Sequence, residues 1–128
     1  MIFRYSDGYY PPAPVVEVTL ISAAEDTHVG PLRGFVDSGA DGTIIPLAYL
    51  EELGAPVTAQ MLIRSWWGER REVLMYLVDV QIGNLVLPGI QVVGDELADE
   101  IVVGRDILNR FRVVLDGPRG MIEISAAT

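Results

Sequence analysis

The sequence contains no cysteine and no lysine, and it contains one histidine, His28. The lack of cysteine excludes disulfides, thiol catalysis and thiolate metal sites. The lack of lysine excludes Schiff-base chemistry and the lysine of a P-loop. A single histidine cannot form a histidine-rich zinc site. Chemistry must therefore depend mostly on carboxylates and hydroxyls, and we expect neither a metal ion nor a cofactor.

Long apolar runs and an excess of positive charge are missing as well. No run approaches the ~18 residues of a membrane-spanning helix, so we expect no membrane partner. The N-terminal residues lack the pattern of a secretory signal, which makes a cytoplasmic location the expectation. The net charge of −9 argues against nucleic acid as a partner. The length of 128 residues, half of them hydrophobic, suits one folded domain.

Short apolar stretches separated by turn-forming residues predict many strands and little helix. Predicted strands cover residues 15–21, 32–36, 60–67, 71–82, 85–93, 101–103, 112–115 and 121–124. Short helices are predicted at 46–53, which Gly54 would end, and at 105–111. Residues 22–31, with an exposed His28, and the acidic segment 95–100 are predicted loops. The pattern is typical of an all-β barrel or sandwich.

The segment FVDSGADGTIIP, residues 35–46, places a carboxylate where an apolar strand ends. Asp37 follows two apolar residues and would lie beside the core, where an isolated charge is costly. Gly39 permits a tight turn and close approach by another chain. Backbone N–H groups of such a turn can stabilise an ionised carboxylate, so the segment is a candidate site for carboxylate chemistry.

A second segment, IVVGRDIL at residues 101–108, completes a resemblance to a known family. FVDSGADGTIIP and IVVGRDIL resemble, in this order, the two signatures of the retroviral-type, or retropepsin-like, aspartic proteases. The resemblance extends over 15–124. It implies an all-β, closed acid-protease barrel with one short C-terminal helix. We expect a single retropepsin-like domain over 15–128, preceded by an N-terminal extension over 1–14.

The resemblance implies an aspartic endopeptidase with Asp37 as the catalytic residue. Two adjacent carboxylates share one proton, so that one activates a water and the other donates to the substrate carbonyl. The chain holds one Asp-Ser-Gly element, and Asp106 is expected to open a helix instead of joining the pair. The second carboxylate must come from Asp37 of another copy, which a two-fold homodimer supplies. The implied partners are a second copy of the chain and a peptide or unfolded protein substrate.

Further residues match supporting positions of the family. Asp41 and Arg105 match positions that pair, and the Ser38 hydroxyl matches one that bonds across the dimer axis. Thr43 matches the family's supporting threonine. The expected support of the active-site loop thus comprises Ser38, Gly39, Ala40, Asp41, Thr43, Gly104 and Arg105.

The segment between the two signatures corresponds in position to the flap of the family. We expect residues 61–75 to form a hairpin over Asp37. Its tip departs from the glycine-rich tips of viral members, because Trp66, Trp67 and Gly68 stand there. These three residues are the candidate substrate-binding flap, and one indole ring is expected to face the cleft.

Two other functions are compatible with the same residues. A catalytically silent retropepsin-like dimer could serve as a binding or assembly module, since a fold does not guarantee its activity. A metal-dependent hydrolase using Asp37 and Asp41 is more remote, because no further ligand cluster lies near them in sequence.

Overall fold

The computed structural model describes residues 1–64 and 68–126. These residues form ten strands and two short helices. The strands are β1 (Ile2–Arg4), β2 (Val15–Ser22), β3 (Thr27–Val36), β4 (Ile44–Pro46), β5 (Val57–Arg64), β6 (Arg70–Ile82), β7 (Leu85–Asp95), β8 (Ile101–Val103), β9 (Phe111–Asp116) and β10 (Met121–Ala126). The helices are α1 (Leu47–Leu53) and α2 (Arg105–Leu108).

Six of the strands close into a barrel. Their order is β2-β3-β8-β4-β7-β6, and an additional antiparallel pairing of β6 with β2 completes the ring. Strand β5 pairs with β6 outside this ring. Two pairings are parallel, β3 with β8 and β4 with β7. The predicted all-β closed barrel with a short helix near its C-terminal end is therefore confirmed.

Alternation along the strands fills the barrel with aliphatic side chains. In β2, Val16, Val18 and Leu20 are at most 2% exposed, while the residues between them face outward or lie half-buried. Ile45 and Val103 contribute to the same core from the two segments that carry the sequence motifs. Because a period of two separates the faces of a strand, the residues next to these core positions lie on the outer face of the barrel.

The prediction of a loop over 22–31 is wrong. The turn covers only 23–26, and β3 already begins at Thr27, so that His28 is an exposed strand residue paired with Ile21. Gly30 and Pro31, which usually break strands, instead oppose Thr19 alone in a β-bulge. The φ of Gly30 is 138°, and a Cβ there would lie 2.8 Å from the Val18 carbonyl oxygen. The bulge therefore requires glycine, and it keeps both ends of β3 in the sheet.

Other element boundaries also differ from the predictions. Helix α2 ends at Leu108, and Phe111 begins β9 instead of ending the helix. Asp95, predicted to start a loop, is the last residue of β7. Strand β4 consists of the last three residues of the first motif and was not predicted, because three residues are too few for a periodic pattern.

The two ends of the chain meet in a small second sheet. Strand β1 pairs with β10, and β10 pairs with β9, all antiparallel. Ile122 and Ile124 of β10 point into the barrel core and are at most 2% exposed. The first residues of the chain are therefore held by the last strand. No helix within 1–64 and 68–126 is long and apolar enough to cross a membrane.

We predict that the terminal sheet is an integral part of the barrel's stability. Ile122→Ala should lower the free energy of unfolding by about 2–5 kcal/mol, because it leaves a cavity in the core. The same substitution at Ile2, whose residue is 65% exposed, should change it by less than about 0.5 kcal/mol. Urea unfolding at one fixed chain concentration measures both variants. Equal losses for the two would contradict this packing.

Candidate active site

Asp37 is positioned by a parallel pair of strands at the end of β3. Its backbone N–H donates to the Val103 carbonyl oxygen at 3.0 Å, which continues the β3–β8 ladder past Val36. Its side chain is half-buried, and Oδ1 accepts a hydrogen bond from the Gly39 N–H at 2.8 Å. The Ala40 N–H closes the turn on the Asp37 carbonyl at 3.2 Å. The carboxylate is thus fixed at the strand end by its own turn.

Arg105, the first residue of α2, makes three contacts with the loop that follows Asp37. Its backbone N–H donates to the Ala40 carbonyl at 2.9 Å. Nη1 donates to the Ser38 carbonyl at 2.8 Å, and Nη2 lies 2.5 Å from Oδ1 of Asp41. The pairing of Asp41 with Arg105 that the motifs imply is present. The Asp41 side chain nevertheless remains 94% exposed, so this pair lies at the surface of the single chain.

Gly104 allows the two motifs to touch through their backbones. A Cβ on Gly104 would lie 2.6 Å from both the carbonyl carbon and the carbonyl oxygen of Gly42, and 3.0 Å from the Ala40 oxygen. Atoms cannot approach that closely, so any other residue would push α2 away from the loop. The glycine of the second motif is therefore required by packing against the first motif.

Asp106 is a supporting residue whose part the sequence analysis missed. Its two carboxylate oxygens accept hydrogen bonds from the Thr43 hydroxyl at 2.7 Å and the Thr43 N–H at 3.1 Å. Thr43 is 1% exposed, and its hydroxyl oxygen accepts from the Gly104 N–H at 3.1 Å. An acidic residue in the first turn of a helix is common, so only its match to a buried threonine of the other motif could have indicated this contact.

The loop-support residues are therefore brought together, whereas the flap residues are only partly described. Strands β5 and β6 form an antiparallel hairpin whose last pair is Arg64 with Arg70. Gly68 lies beside this end with a φ of 79°, and, its chain neighbours aside, none of the described residues has a heavy atom within 4 Å of where its Cβ would be. The predictions for Trp66 and Trp67 fall outside the described residues.

An ion pair joins β6 of this hairpin to Asp95, the first residue of the acidic segment 95–100. Nη2 of Arg71 in β6 lies 2.6 Å from Oδ2 of Asp95, whose side chain is 11% exposed. Oδ1 of Asp95 accepts from the Leu97 N–H at 2.9 Å, which shapes the start of that segment. Arg71 pairs with Ile63, next to the last pair of the hairpin, so this partly buried, charge-assisted hydrogen bond restrains β6 close to the turn.

A row of apolar side chains crosses the outer face of the barrel beside Asp37. Registered neighbours on adjacent strands are Phe35 with Val102, Val102 with Ile44, and Ile44 with Val93. Phe35, Val102 and Ile44 are half-buried, whereas Val93 at the end of the row is buried, with 6% exposure. Alternation along β3 places Asp37 on the same face as Phe35, two residues further on. The carboxylate therefore stands at the edge of an apolar strip.

Tyr9 covers part of this strip from the N-terminal segment. Its ring centroid lies 5.2 Å from that of Phe35, and the two rings are tilted by 50°. Its hydroxyl donates a hydrogen bond to Oε2 of Glu100. Partial burial, together with the hydrogen bond and the charge of Glu100, raises the pKa of Tyr9 to about 12. Sequence analysis did not select Tyr9, since no motif includes it.

The acidic residues of the site do not form a metal centre in the part of the chain that the structure describes. No group of three or more histidine, aspartate or glutamate side chains there could hold an ion. Asp41 is engaged by Arg105. The pattern of contacts around Asp37 is that of a single carboxylate held by hydrogen bonds at the end of a strand.

We predict that the contact between Asp106 and Thr43 stabilises the site. Asp106→Ala should lower the free energy of unfolding by at least about 2 kcal/mol, because it leaves the buried Thr43 N–H and hydroxyl without their acceptors. Glu52→Ala, which removes an exposed carboxylate from α1, should change it by less than about 0.5 kcal/mol. Thermal and urea unfolding measure the free energy of unfolding of both variants. A loss for Asp106→Ala no larger than for Glu52→Ala would refute the anchoring role.

A known family model matches the part of the chain that contains both motifs. The family model described as gag-polyprotein putative aspartyl protease matches residues 27–110, a range that includes both Asp37 and Arg105. This range is more than half of the chain. Among curated proteins, no sequence matches the chain significantly.

Three solved structures are similar to this chain in fold. A retropepsin-like aspartic protease from Rickettsia conorii has 17% identity and a TM-score of 0.65, with coverage of 100% of this chain and 92% of that one. The EIAV protease, in complex with an inhibitor, has 21% identity and a TM-score of 0.57, with coverage of 76% and 86%. The retroviral protease-like domain of Ddi1 from Leishmania major has 21% identity and a TM-score of 0.57, with coverage of 88% of each chain.

These identities are low, so the structural matches establish the fold alone. The family match rests on the sequence and includes the two segments that the structure brings into contact. The family match and the fold similarity agree with the closed barrel, with the Asp37 turn and with the contacts of Gly104 and Arg105 on the loop after Asp37. The chain therefore belongs to the retropepsin-like aspartic protease family.

Proposed function

We propose that the protein is an aspartic endopeptidase that cleaves peptide bonds with two Asp37 carboxylates, one from each chain of a homodimer. The observation that carries the proposal is the Asp37 turn, which holds a half-buried carboxylate at a strand end beside an apolar strip. A purely structural aspartate would need neither this strip nor the clamp that Arg105 makes on the loop.

The need for a homodimer follows from the count of suitable carboxylates. The chain has one Asp-Ser-Gly element, and Asp106 is occupied with Thr43. Ser38, Gly39 and Asp41 are exposed on the single chain, so a second copy could reach the loop. An isologous two-fold interface brings each residue close to its own mate, which would set the two Asp37 side chains side by side.

In such a dimer the two carboxylates would hold one proton between them, because adjacent like charges disfavour double ionisation. The ionised carboxylate removes a proton from a water, whose oxygen bonds to the substrate carbonyl carbon. The protonated carboxyl group donates its proton to the carbonyl oxygen. Collapse of the tetrahedral intermediate breaks the carbon–nitrogen bond. The leaving nitrogen takes up the proton of one carboxyl group, and a hydroxyl of the intermediate returns its proton to the other carboxylate, so the pair again holds one proton.

The substrate would be an extended peptide or an unfolded protein segment. Such a segment can lie as a strand in the cleft, with its side chains placed alternately on the two sides. The β5–β6 hairpin is the candidate flap, and the pair of Arg71 with Asp95 ties its β6 strand to the end of β7 close to the turn. A flap excludes water during the reaction and opens for product release. The apolar strip beside Asp37 supports a preference for apolar side chains near the cleaved bond.

Asp37→Asn should abolish cleavage in a peptide-library digest while the fold is retained. Asparagine is nearly isosteric with aspartate but cannot act as a base or share the proton. Asp26→Asn, which changes an exposed carboxylate in the β2–β3 turn, is the matched control and should cleave at the wild-type rate. The wild-type pH profile should be bell-shaped, because one carboxylate must be ionised and the other protonated.

Turnover by folded Asp37→Asn would refute the proposal. A wild-type protein that binds peptides without cleaving any of them from acid to neutral pH would instead support the catalytically silent binding module.

The assembly is tested separately. We expect sedimentation equilibrium and light scattering to report twice the chain mass of 14.0 kDa at working concentration. Dilution should reduce the specific activity as the dimer dissociates, because a single chain lacks the second carboxylate. A strict monomer at high concentration that still cleaves peptides would contradict the shared-dyad mechanism.

A further inference from the structure

Three layers of side chains follow one another on the outer face of β3 and the start of β8. In β3, Arg33, Phe35 and Asp37 alternate with inward-facing residues. Phe35 pairs with Val102, and Arg33 and Glu100, each two residues earlier in the chain, line one common cavity. The face therefore runs from a charged layer through an apolar layer to the Asp37 layer, with about 7 Å between successive layers.

Tyr9 stands where the apolar layer meets the charged layer. Its ring packs on Phe35, and its hydroxyl reaches Glu100. Beyond the ring lies a surface cavity of about 370 Å³, whose lining includes Tyr9, Arg33, Asp99 and Glu100. The ring thus separates the apolar strip from a cavity lined with charged groups.

The loop that carries Tyr9 is fixed at its base. The Ser6 N–H donates to the Ala13 carbonyl at 2.8 Å, the Ala13 N–H donates back to Ser6 at 3.2 Å, and the Ser6 hydroxyl accepts from the Gly8 N–H at 3.1 Å. The neighbouring ring of Tyr10 is fully exposed. The segment therefore holds one tyrosine against the barrel and leaves the next one in solvent, which provides a matched pair.

We propose that Tyr9 is a specificity-determining residue of the cleft, the end wall of the subsite formed by Phe35 and Val102; this inference rests on the proposed peptide-binding function. A substrate side chain that leaves the backbone near Asp37 meets the apolar layer and stops at the Tyr9 ring. The subsite then accepts a compact apolar side chain such as leucine. A long cationic side chain is rejected, because the ring blocks its path to Glu100 and Asp99.

The hydroxyl and the ring have separable effects. Tyr9→Phe keeps the wall but removes the hydrogen bond to Glu100, so it should leave the preference for leucine nearly unchanged. Tyr9→Ala removes the wall, joins the apolar strip to the charged cavity and takes away the hydrogen bond of Tyr9 to Glu100. The two carboxylates of Asp99 and Glu100 outnumber the one guanidinium of Arg33 in that cavity, so the cavity favours a cation. Arginine, whose stem can lie along apolar surface while its head reaches a carboxylate, then becomes an acceptable side chain.

The test measures binding, so that it does not depend on catalysis. The probes are two fluorescent octapeptides with a non-hydrolysable central bond, identical except for leucine or arginine beside that bond. The ratio of the two dissociation constants is measured for each variant, because a ratio on one protein cancels any general loss of stability. Each side of the central bond is varied in turn, and the ratio is taken for the side on which wild type discriminates.

Tyr9→Ala should shift the ratio toward arginine by roughly tenfold, the scale on which apolar subsites discriminate. Tyr9→Phe and the exposed control Tyr10→Ala should leave it within about twofold. Adding Glu100→Gln to Tyr9→Ala should move the ratio most of the way back to the wild-type value, because the carboxylate that receives the guanidinium is then lost. A Tyr9→Ala ratio within twofold of wild type, or no binding of either probe by wild type, would overturn the inference.

Cleavage of the corresponding ordinary peptides is followed on the same samples. Binding that depends on Tyr9 without any cleavage would contradict the endopeptidase and leave the specificity assignment standing. Cleavage that depends on Asp37, with a binding ratio unchanged by Tyr9→Ala, would support the endopeptidase and contradict the specificity assignment.

Discussion

The contact between the Asp37 loop and the start of α2 is the constraint on which the site depends. Gly104 lets two backbones approach to a separation that no side chain would permit, and Arg105 then binds the loop through three hydrogen bonds. Asp106 holds Thr43 from the other side. Because these groups satisfy one another's donors and acceptors, the position of Asp37 is set by the packing of two segments more than sixty residues apart in the chain.

This arrangement completes the support of the carboxylate but leaves the site itself open. Within a single chain, Ser38 and Asp41 are exposed although they belong to a tightly bonded loop. Rigid polar surface of this kind loses little entropy on association, since its side chains and backbone are already ordered. In the proposed homodimer, a rigid loop of this kind would hold the two carboxylates at one fixed separation.

The outer face of the barrel adds a second level of organisation. The barrel strands provide an apolar strip beside Asp37, and the segments outside the barrel decide how much of it is accessible. Tyr9 closes one end from the N-terminal loop, and the Arg71–Asp95 pair restrains the hairpin at another point. Under the proposed function, such a division would let substrate preference change through the connecting segments while the barrel that positions the carboxylate stays the same.

The all-β class, the core-facing periodicity, both short helices and the two motifs with Asp37, Gly104 and Arg105 could be predicted from the sequence. Local patterns suffice for these, because strand alternation and turn residues act over a few positions. Tertiary structure alone decided that Gly30 and Pro31 form a bulge instead of a loop, since the neighbouring strand imposes that register. It also decided the contacts of Asp106 with Thr43 and of Tyr9 with Phe35 and Glu100. Each joins residues distant in sequence, and hydrogen bonds or ring contacts of that kind leave no periodic trace along the chain.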